Sequence, residues 1–306
     1  MDIAIIGTGA IGGYFGARLV HGGHTVHFLA RSDAGPMRAH GLVVDSYLGD
    51  FTVPHPLVYT DVEALPPCDI VLITVKATGN RALLPHLGAA TKKGGAIVLM
   101  QNGFGVEDKL AAAYPDARVF AGLCFICSFR TAPAHVKHTA YGRVSLAAQD
   151  GDVASAERLS HVFSDAGIDV EVLPDVLTAR WRKLVWNMPY NGLSVALDCT
   201  TAELGTDPAA GALARAMMTE ILEAAAACGV AIPAEFIEQQ IATTTQMSAY
   251  EPSMKLDYLA GRPMEVGAIY DAAIAYARAH GYEMVRAEWL ARTLDYLGAH
   301  NPHTAR

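Results

Sequence analysis

Lys183, Asn187 and Asn191 recur at intervals of four residues in a stretch that reads as one helix, Thr178–Ala196. Each step of four turns a helix of 3.6 residues per turn by about 40°, so the three share a stripe about 80° wide. Leu184, Val185 and Trp186 flank the lysine. An ammonium and two carboxamides on one side of an otherwise apolar helix can stabilise negative charge and supply a proton. The ordinary alternative, a solvated surface lysine, explains the two asparagines poorly. Pro189 lies in the same stretch. It removes the helix bond to residue 185 and is expected to kink the helix, which loosens the placement of Asn191.

A second constellation opens the chain: Gly7-Thr8-Gly9-Ala10-Ile11-Gly12. It follows the apolar run Ile3–Ile6 and begins a helical pattern reaching about His21, the context in which GxGxxG becomes informative. Gly7 suits a tight turn, Gly9 lets the backbone approach a pyrophosphate, and Gly12 lets helix pack closely on strand. The helix N-terminus then offers N–H groups to phosphate. The expected ligand is therefore a dinucleotide. The second strand, Thr25–Arg31, ends Leu29-Ala30-Arg31, with no acid at its tip for a ribose hydroxyl. Arg31 supplies a fork of donors suited to a 2′-phosphate, so NADP(H) is the expected cofactor. Asp33, just beyond, weighs against that choice. Lys76 ends a later strand, Asp69–Lys76, and Asn102 follows another, Gly95–Met100. Ligands of open α/β sheets bind outside such strand ends. Asn102 also fits a plain turn before Gly103.

The elements that must position these residues divide the chain in two. Strand and helix patterns alternate to about residue 174, with a hairpin-like excursion at Leu42–Val58, a helix near Gly79–Thr91 and a β section from Arg118 to about Ala147. Asp69–Lys76 is almost continuously apolar, as a parallel strand covered on both faces should be. The expected fold is α/β: a Rossmann-type doubly wound sheet over residues 1–174, then an all-helical domain over 175–306. In the second part Asp207, Pro208 and Gly229 read as cap, first turn and end of one helix. Ala234–Met247 and Val266–His280 read as two more.

These residues resemble the ketopantoate reductase family (2-dehydropantoate 2-reductase) along the whole chain. GTGAIGGYFGARL, TVKA and QNGFG carry the resemblance in the first half; KLVWNMPYN and PSMKLDYLAGRPMEV carry it in the second. The resemblance implies NADPH-dependent reduction of a small 2-oxo acid. It implies that Lys183 donates the proton, that Asn187, Asn191 and Ser253 hold substrate, and that Glu265 lies near the nicotinamide and Lys183. Asn102 would touch cofactor and substrate, Arg31 and Lys76 would serve the adenosine end, and Ser128 falls at a cofactor-contacting position. Thr200-Thr201 replaces a frequent family asparagine. Gly281-Tyr282-Glu283-Met284-Val285 lacks the usual proline turn. Ser253 could otherwise cap a short helix, and Glu265 could simply favour a first helical turn.

Two alternatives stay open. One is a related dehydrogenase acting on a bulkier 2-oxo acid or on a 3-hydroxy acid. The other is an NADP(H)-sensing regulator without catalysis. The chain has 306 residues, is 52% hydrophobic, carries a net charge of −8 and shows no basic tract, which argues against a nucleic-acid partner. No run approaches the roughly 20 apolar residues of a membrane helix. No signal-peptide pattern follows Met1. Five irregularly spaced cysteines fit a reducing cytoplasm. The Cys124/Cys127 pair reads as core rather than as a zinc site. A homodimer is the base-rate expectation.

Overall fold

The computed structural model describes residues 1–246 and 251–304. The chain forms two compact units: Met1–Asn102 with Val106–Ala179, and Gly103–Gly105 with the chain from Arg180.

The first unit is β1 (Asp2–Ile6), α1 (Ala10–His21), β2 (Thr25–Leu29), α2 (Ala34–His40), β3 (Leu42–Ser46), β4 (Phe51–Val53), β5 (Leu57–Tyr59), β6 (Cys68–Ile73), α3 (Asn80–Leu83), α4 (Leu87–Ala90), β7 (Thr91–Leu99), α5 (Glu107–Ala113), β8 (Arg118–Ala132), β9 (His135–Ala148), α6 (Val153–Asp165), β10 (Val170–Val172) and the first turn of α7 (Val176–Ala196). Ten strands make one sheet in the order β4-β3-β9-β8-β7-β6-β1-β2-β5, with β10 beside β9. From β5 to β8 every pair is parallel; β8 with β9 and β3 with β4 are antiparallel.

The apolar runs are continuous because alternate residues enter two separate cores. Ile3 and Ile5 join Phe15, Leu19, Phe28 and Leu72 on one face. Ala4 and Ile6 join Val71, Ile73, Ile97 and Leu99 on the other. Each fully buried aliphatic side chain contributes about 1.5–3 kcal/mol. The helix expected near Gly79–Thr91 is broken instead into short pieces, α3, a 3-10 turn at Leu84–His86 and α4. Pro85, inside that turn, lacks the N–H a continuous helix would need. The β section after Arg118 is one long hairpin, closed at Pro133-Ala134, where Ala134 takes φ 58°.

His138 on β9 ties that hairpin to β3. It is 1% exposed. Its Nδ1 lies 2.9 Å from Ser46 Oγ and its Nε2 2.9 Å from the Tyr141 carbonyl. A carbonyl only accepts, so Nε2 carries the proton and Nδ1 accepts from the serine hydroxyl. Ser46 Oγ in turn accepts the Leu48 N–H at 3.1 Å. A second ring proton, on Nδ1, would force the Ser46 hydroxyl to turn its own proton away. Burial pushes the His138 pKa below its usual value, and the hydrogen bond to Tyr141 only partly opposes this. The unfolded chain therefore binds the proton more readily. This site's stability is complete above about pH 6.5 and declines as pH falls from there toward the depressed folded value. Urea unfolding at pH 7.5 and 5.5 should show an acid loss in the wild type that shrinks in H138Q; equal losses would exclude His138 as its source.

The second unit continues α7 from Arg180 and adds α8 (Thr201–Thr206), α9 (Pro208–Ala227), α10 (Glu235–Thr245), α11 (Ser253–Leu259), a π-helical turn (Gly267–Asp271) running into α12 (Ala272–Ala279), and α13 (Val285–Ala299). Among its described residues there is no strand. The expected cap at α9 is present: Asp207 accepts from Ala209 N–H and Ala210 N–H, with Pro208 in the first turn. The helix expected over Ala234–Met247 is α10; Met247 lies outside the described residues. Thr200 closes a capping box with Glu203 at α8. The turn without proline is held from α9: the buried Glu220 carboxylate accepts Arg286 N–H and Ala287 N–H at 2.9 and 2.8 Å, capping α13. No helix among the described residues is long and apolar enough to cross a membrane.

Candidate active site

In the first unit, β1 delivers the chain into the glycine turn. Gly7 has φ +102°, and a Cβ there would collide with Val75, so glycine is required twice over. Gly7 N–H bonds Leu29 O at 3.1 Å, and Thr8 Oγ1 donates to the same carbonyl at 3.2 Å, which fixes the turn to the end of β2. A Cβ at Gly12 would run into Gly7 O and Thr74 Oγ1; the helix sits that close to the turn. Gly9 faces open space. It is also the N-cap of α1, with no side chain capping that end and no acid in the first turn. The N–H groups of Ala10, Ile11 and Gly12 at this terminus, the positive dipole end and a side-chain-free approach at Gly9 together suit a phosphate-bearing ligand.

Arg31 is exposed just past β2. Asp33, which weighed against a 2′-phosphate, is only 3% exposed and already engaged: Arg130 Nη2 lies 3.2 Å from its Oδ1, and Ser32 Oγ donates to the same atom at 3.1 Å. Lys76 is exposed and lies beyond β6, which ends at Ile73, rather than in the strand. Ser128 lies on β8 opposite His138, and its hydroxyl oxygen is buried without a hydrogen-bond partner. Asn102 is half-buried after β7. Its neighbour Gln101 was not singled out from sequence. Gln101 donates to Val75 O at 2.7 Å and exchanges amide hydrogen bonds with Asn80 at 2.7 and 3.0 Å, locking the loops after β6 and β7 together.

In the second unit the Lys-Asn-Asn stripe is present on α7. Lys183 is 8% exposed, Asn187 2% and Asn191 1%. A surface lysine is thereby excluded. The Lys183 ammonium lies 5.9 Å from the centre of the Trp186 ring, a cation–π distance. Trp186 is held in turn: its Nε1–H donates to Thr244 Oγ1 at 2.9 Å, and its ring stacks on Tyr190 at 5.1 Å. In the sequence Trp186 reads only as an apolar neighbour of Lys183. Its spacing of three from Lys183, one helical turn, was the signal that it could touch the ammonium.

Asn191 and Ser253 are brought together. Asn191 Oδ1 accepts Met254 N–H at 3.2 Å and the Ser253 hydroxyl at 3.4 Å. The carboxamide therefore caps α11, and Ser253, in its first turn, makes no cap of its own. The NH₂ end of Asn191 is what remains chemically able to donate to an anion. A second tie lies at the end of α7, where buried Lys255 donates to Cys199 O at 3.0 Å and pairs with Asp198 and Glu251, both at 3.2 Å. Burial lowers that ammonium's pKa, but the hydrogen bonds it donates to Asp198 and Glu251 outweigh burial and leave it raised.

Glu265 is 9% exposed and directly precedes the helical segment that begins at Val266. The π-helical turn behind it was not legible in the sequence. Such turns insert a residue into a helix and recur at functional sites. Phe104, from QNGFG, rests against Trp181 and Tyr276 at ring distances of 5.3 and 5.0 Å.

Comparison with known proteins agrees along the chain. Residues 3–151 match the family model "Ketopantoate reductase PanE/ApbA", and residues 175–297 match its C-terminal counterpart. A 2-dehydropantoate 2-reductase of Nostoc sp. is 39% identical, covering 97% of this chain and 95% of its own. A crystal structure of 2-dehydropantoate 2-reductase from Geobacter metallireducens superposes with TM-score 0.92 at 36% identity, over 97% of this chain and 99% of that one. One from Methylococcus capsulatus gives 0.88 at 35%, over 99% and 98%. The chain belongs to the ketopantoate reductase family and is a nicotinamide-dependent oxidoreductase acting on a CH–OH group.

Proposed function

We propose that the protein reduces 2-dehydropantoate to pantoate with NADPH, using Lys183 as the proton donor. The observation that carries the reading is the buried Lys183-Asn187-Asn191 stripe, with Asn191 fixed to Ser253 at the start of α11. NADPH, when bound, supplies the hydride for the 2-oxo carbon. The chain does the rest. Gly7 to Gly12 and the start of α1 hold the pyrophosphate, Arg31 and Lys76 take the adenosine end, and Asn102 and Ser128 steady the coenzyme. Asn187, the NH₂ of Asn191 and the Ser253 hydroxyl orient the keto acid and its carboxylate. Lys183 binds the carbonyl oxygen, stabilises the charge that gathers there and passes it a proton. Glu265 steadies the ammonium of Lys183 and the nicotinamide end.

The deciding experiment follows NADPH oxidation with ketopantoate beside a panel of other 2-oxo acids, aryl ones included. Highest kcat/KM with ketopantoate is expected. A better aryl or longer 2-oxo acid would leave the reaction class intact and change the substrate. Turnover with none of them would favour a non-catalytic NADP(H) sensor. Comparing NADPH with NADH checks the cofactor: the wild type should prefer NADPH, and R31A should lose about tenfold or more of that preference, the scale of one charge-assisted phosphate contact. A wild type indifferent between the two would refute the assignment to NADP(H).

A further inference from the structure

The end of β2 holds more charge than the sequence pattern there suggests. Ala30, 3% exposed, stands where an acid would meet a ribose hydroxyl. Arg31 follows, exposed, and among the described residues no carboxylate pairs with it. Asp33 is the only acid between Thr25 and Gly41, and its side chain is 4% exposed. So deep a carboxylate presents almost no surface to a ligand. It is placed instead to hold the guanidinium of Arg130, which keeps 40% of its own surface exposed. One of five N–H donors is spent on Asp33 Oδ1, and the fork keeps the others for something outside. Arg130 arrives from β8, remote in sequence. Two residues earlier on the same face of that strand, the Ser128 hydroxyl is buried and unpartnered.

The geometry points to Arg130, anchored by Asp33, as a second cation that reads the 2′-phosphate of the coenzyme beside Arg31. The inference rests on the NADP(H) reading above and deepens it. Asp33, which in the sequence looked like an obstacle to a phosphate, becomes the residue that holds a phosphate-binding arginine in place. A buried carboxylate fixing an arginine costs the ligand nothing in side-chain ordering, so the donor fork is preorganised.

The test measures dissociation constants of NADPH and NADH for the wild type, R130M and D33N/R130M. The double variant is included because R130M alone leaves Asp33 buried and unpaired, which can unfold the domain. NADPH binding should weaken by about tenfold in both variants while NADH changes by less than about twofold. The pair 2′,5′-ADP and 5′-ADP should separate in the same way, assigning the effect to the 2′-phosphate. A selective wild type whose selectivity survives in D33N/R130M overturns this inference alone. Equal weakening of NADPH and NADH also overturns it, because a merely structural Arg130 would act on both. A wild type that binds both coenzymes equally overturns the NADP(H) reading and this inference together.

Discussion

Lys183→Ala should lower kcat by about a hundredfold or more while NADPH binding survives. That is the usual scale for losing a positioned general acid, and it corresponds to about 2.7 kcal/mol of barrier. The expectation rests on burial. At 8% exposure, beneath Trp186 and between the apolar flanks of α7, the ammonium is not a solvated charge. Water in its place can stabilise a growing negative charge on the carbonyl oxygen only by reorganising, which costs part of what is gained. Lys183→Arg separates the two roles. Guanidinium keeps the charge but gives up its proton only far above neutral pH. If proton delivery dominates, K183R should be nearly as slow as K183A; if charge alone matters, it should recover much of the rate. Coenzyme affinity is the control for folding. Wild-type turnover in K183A would remove this residue from the chemistry.

What was legible in the sequence was what local chemistry dictates. The glycine turn could be read because each glycine answers a constraint within a few residues: a positive φ at Gly7, an open approach at Gly9, a helix against the turn at Gly12. The α7 stripe could be read because helical spacing alone puts Lys183, Asn187 and Asn191 on one side. Asp207 was legible as a cap for the same reason. The rest depends on partners distant along the chain. Nothing near Asp33 announces Arg130, nothing near Asn191 announces the start of α11, and nothing near Met284 announces Glu220. The break at Pro85 was written in the sequence but was outweighed by the helical pattern around it. The π-helical turn after Glu265 has no local signature, and the contacts Tyr270 makes from it reach far along the chain, to Met188 O.

Those contacts lead to the second large effect: Gly192→Ala should destabilise the second unit by about 1–3 kcal/mol, as overpacking of a filled core does, and should slow turnover as well. Pro189 deprives α7 of one N–H, yet the helix runs on to Ala196. At this point Tyr270, fully buried in the π-helical turn, donates its hydroxyl to Met188 O at 2.6 Å. Burial pushes its pKa far above the ordinary phenol range, so it remains a donor at any working pH. Gly192 makes this bond possible: a Cβ there would overlap the Tyr270 hydroxyl and come within 2.5 Å of Leu290 Cδ2. Leu290 can turn aside, but a bonded phenol in a full core cannot. G192A must therefore push α7 away from the π-helical turn, one residue from Asn191 and five from Glu265 on the other side. Y270F loses the bond to Met188 O and the Gly192 backbone hydrogen bond to the same oxygen, about 1–2 kcal/mol together. In G192A/Y270F the overlapping oxygen is gone, so the combined loss in urea unfolding should fall short of the sum by about 1 kcal/mol or more. Strict additivity would mean that the hydroxyl is not the obstacle, and that the glycine is there for Leu290 instead.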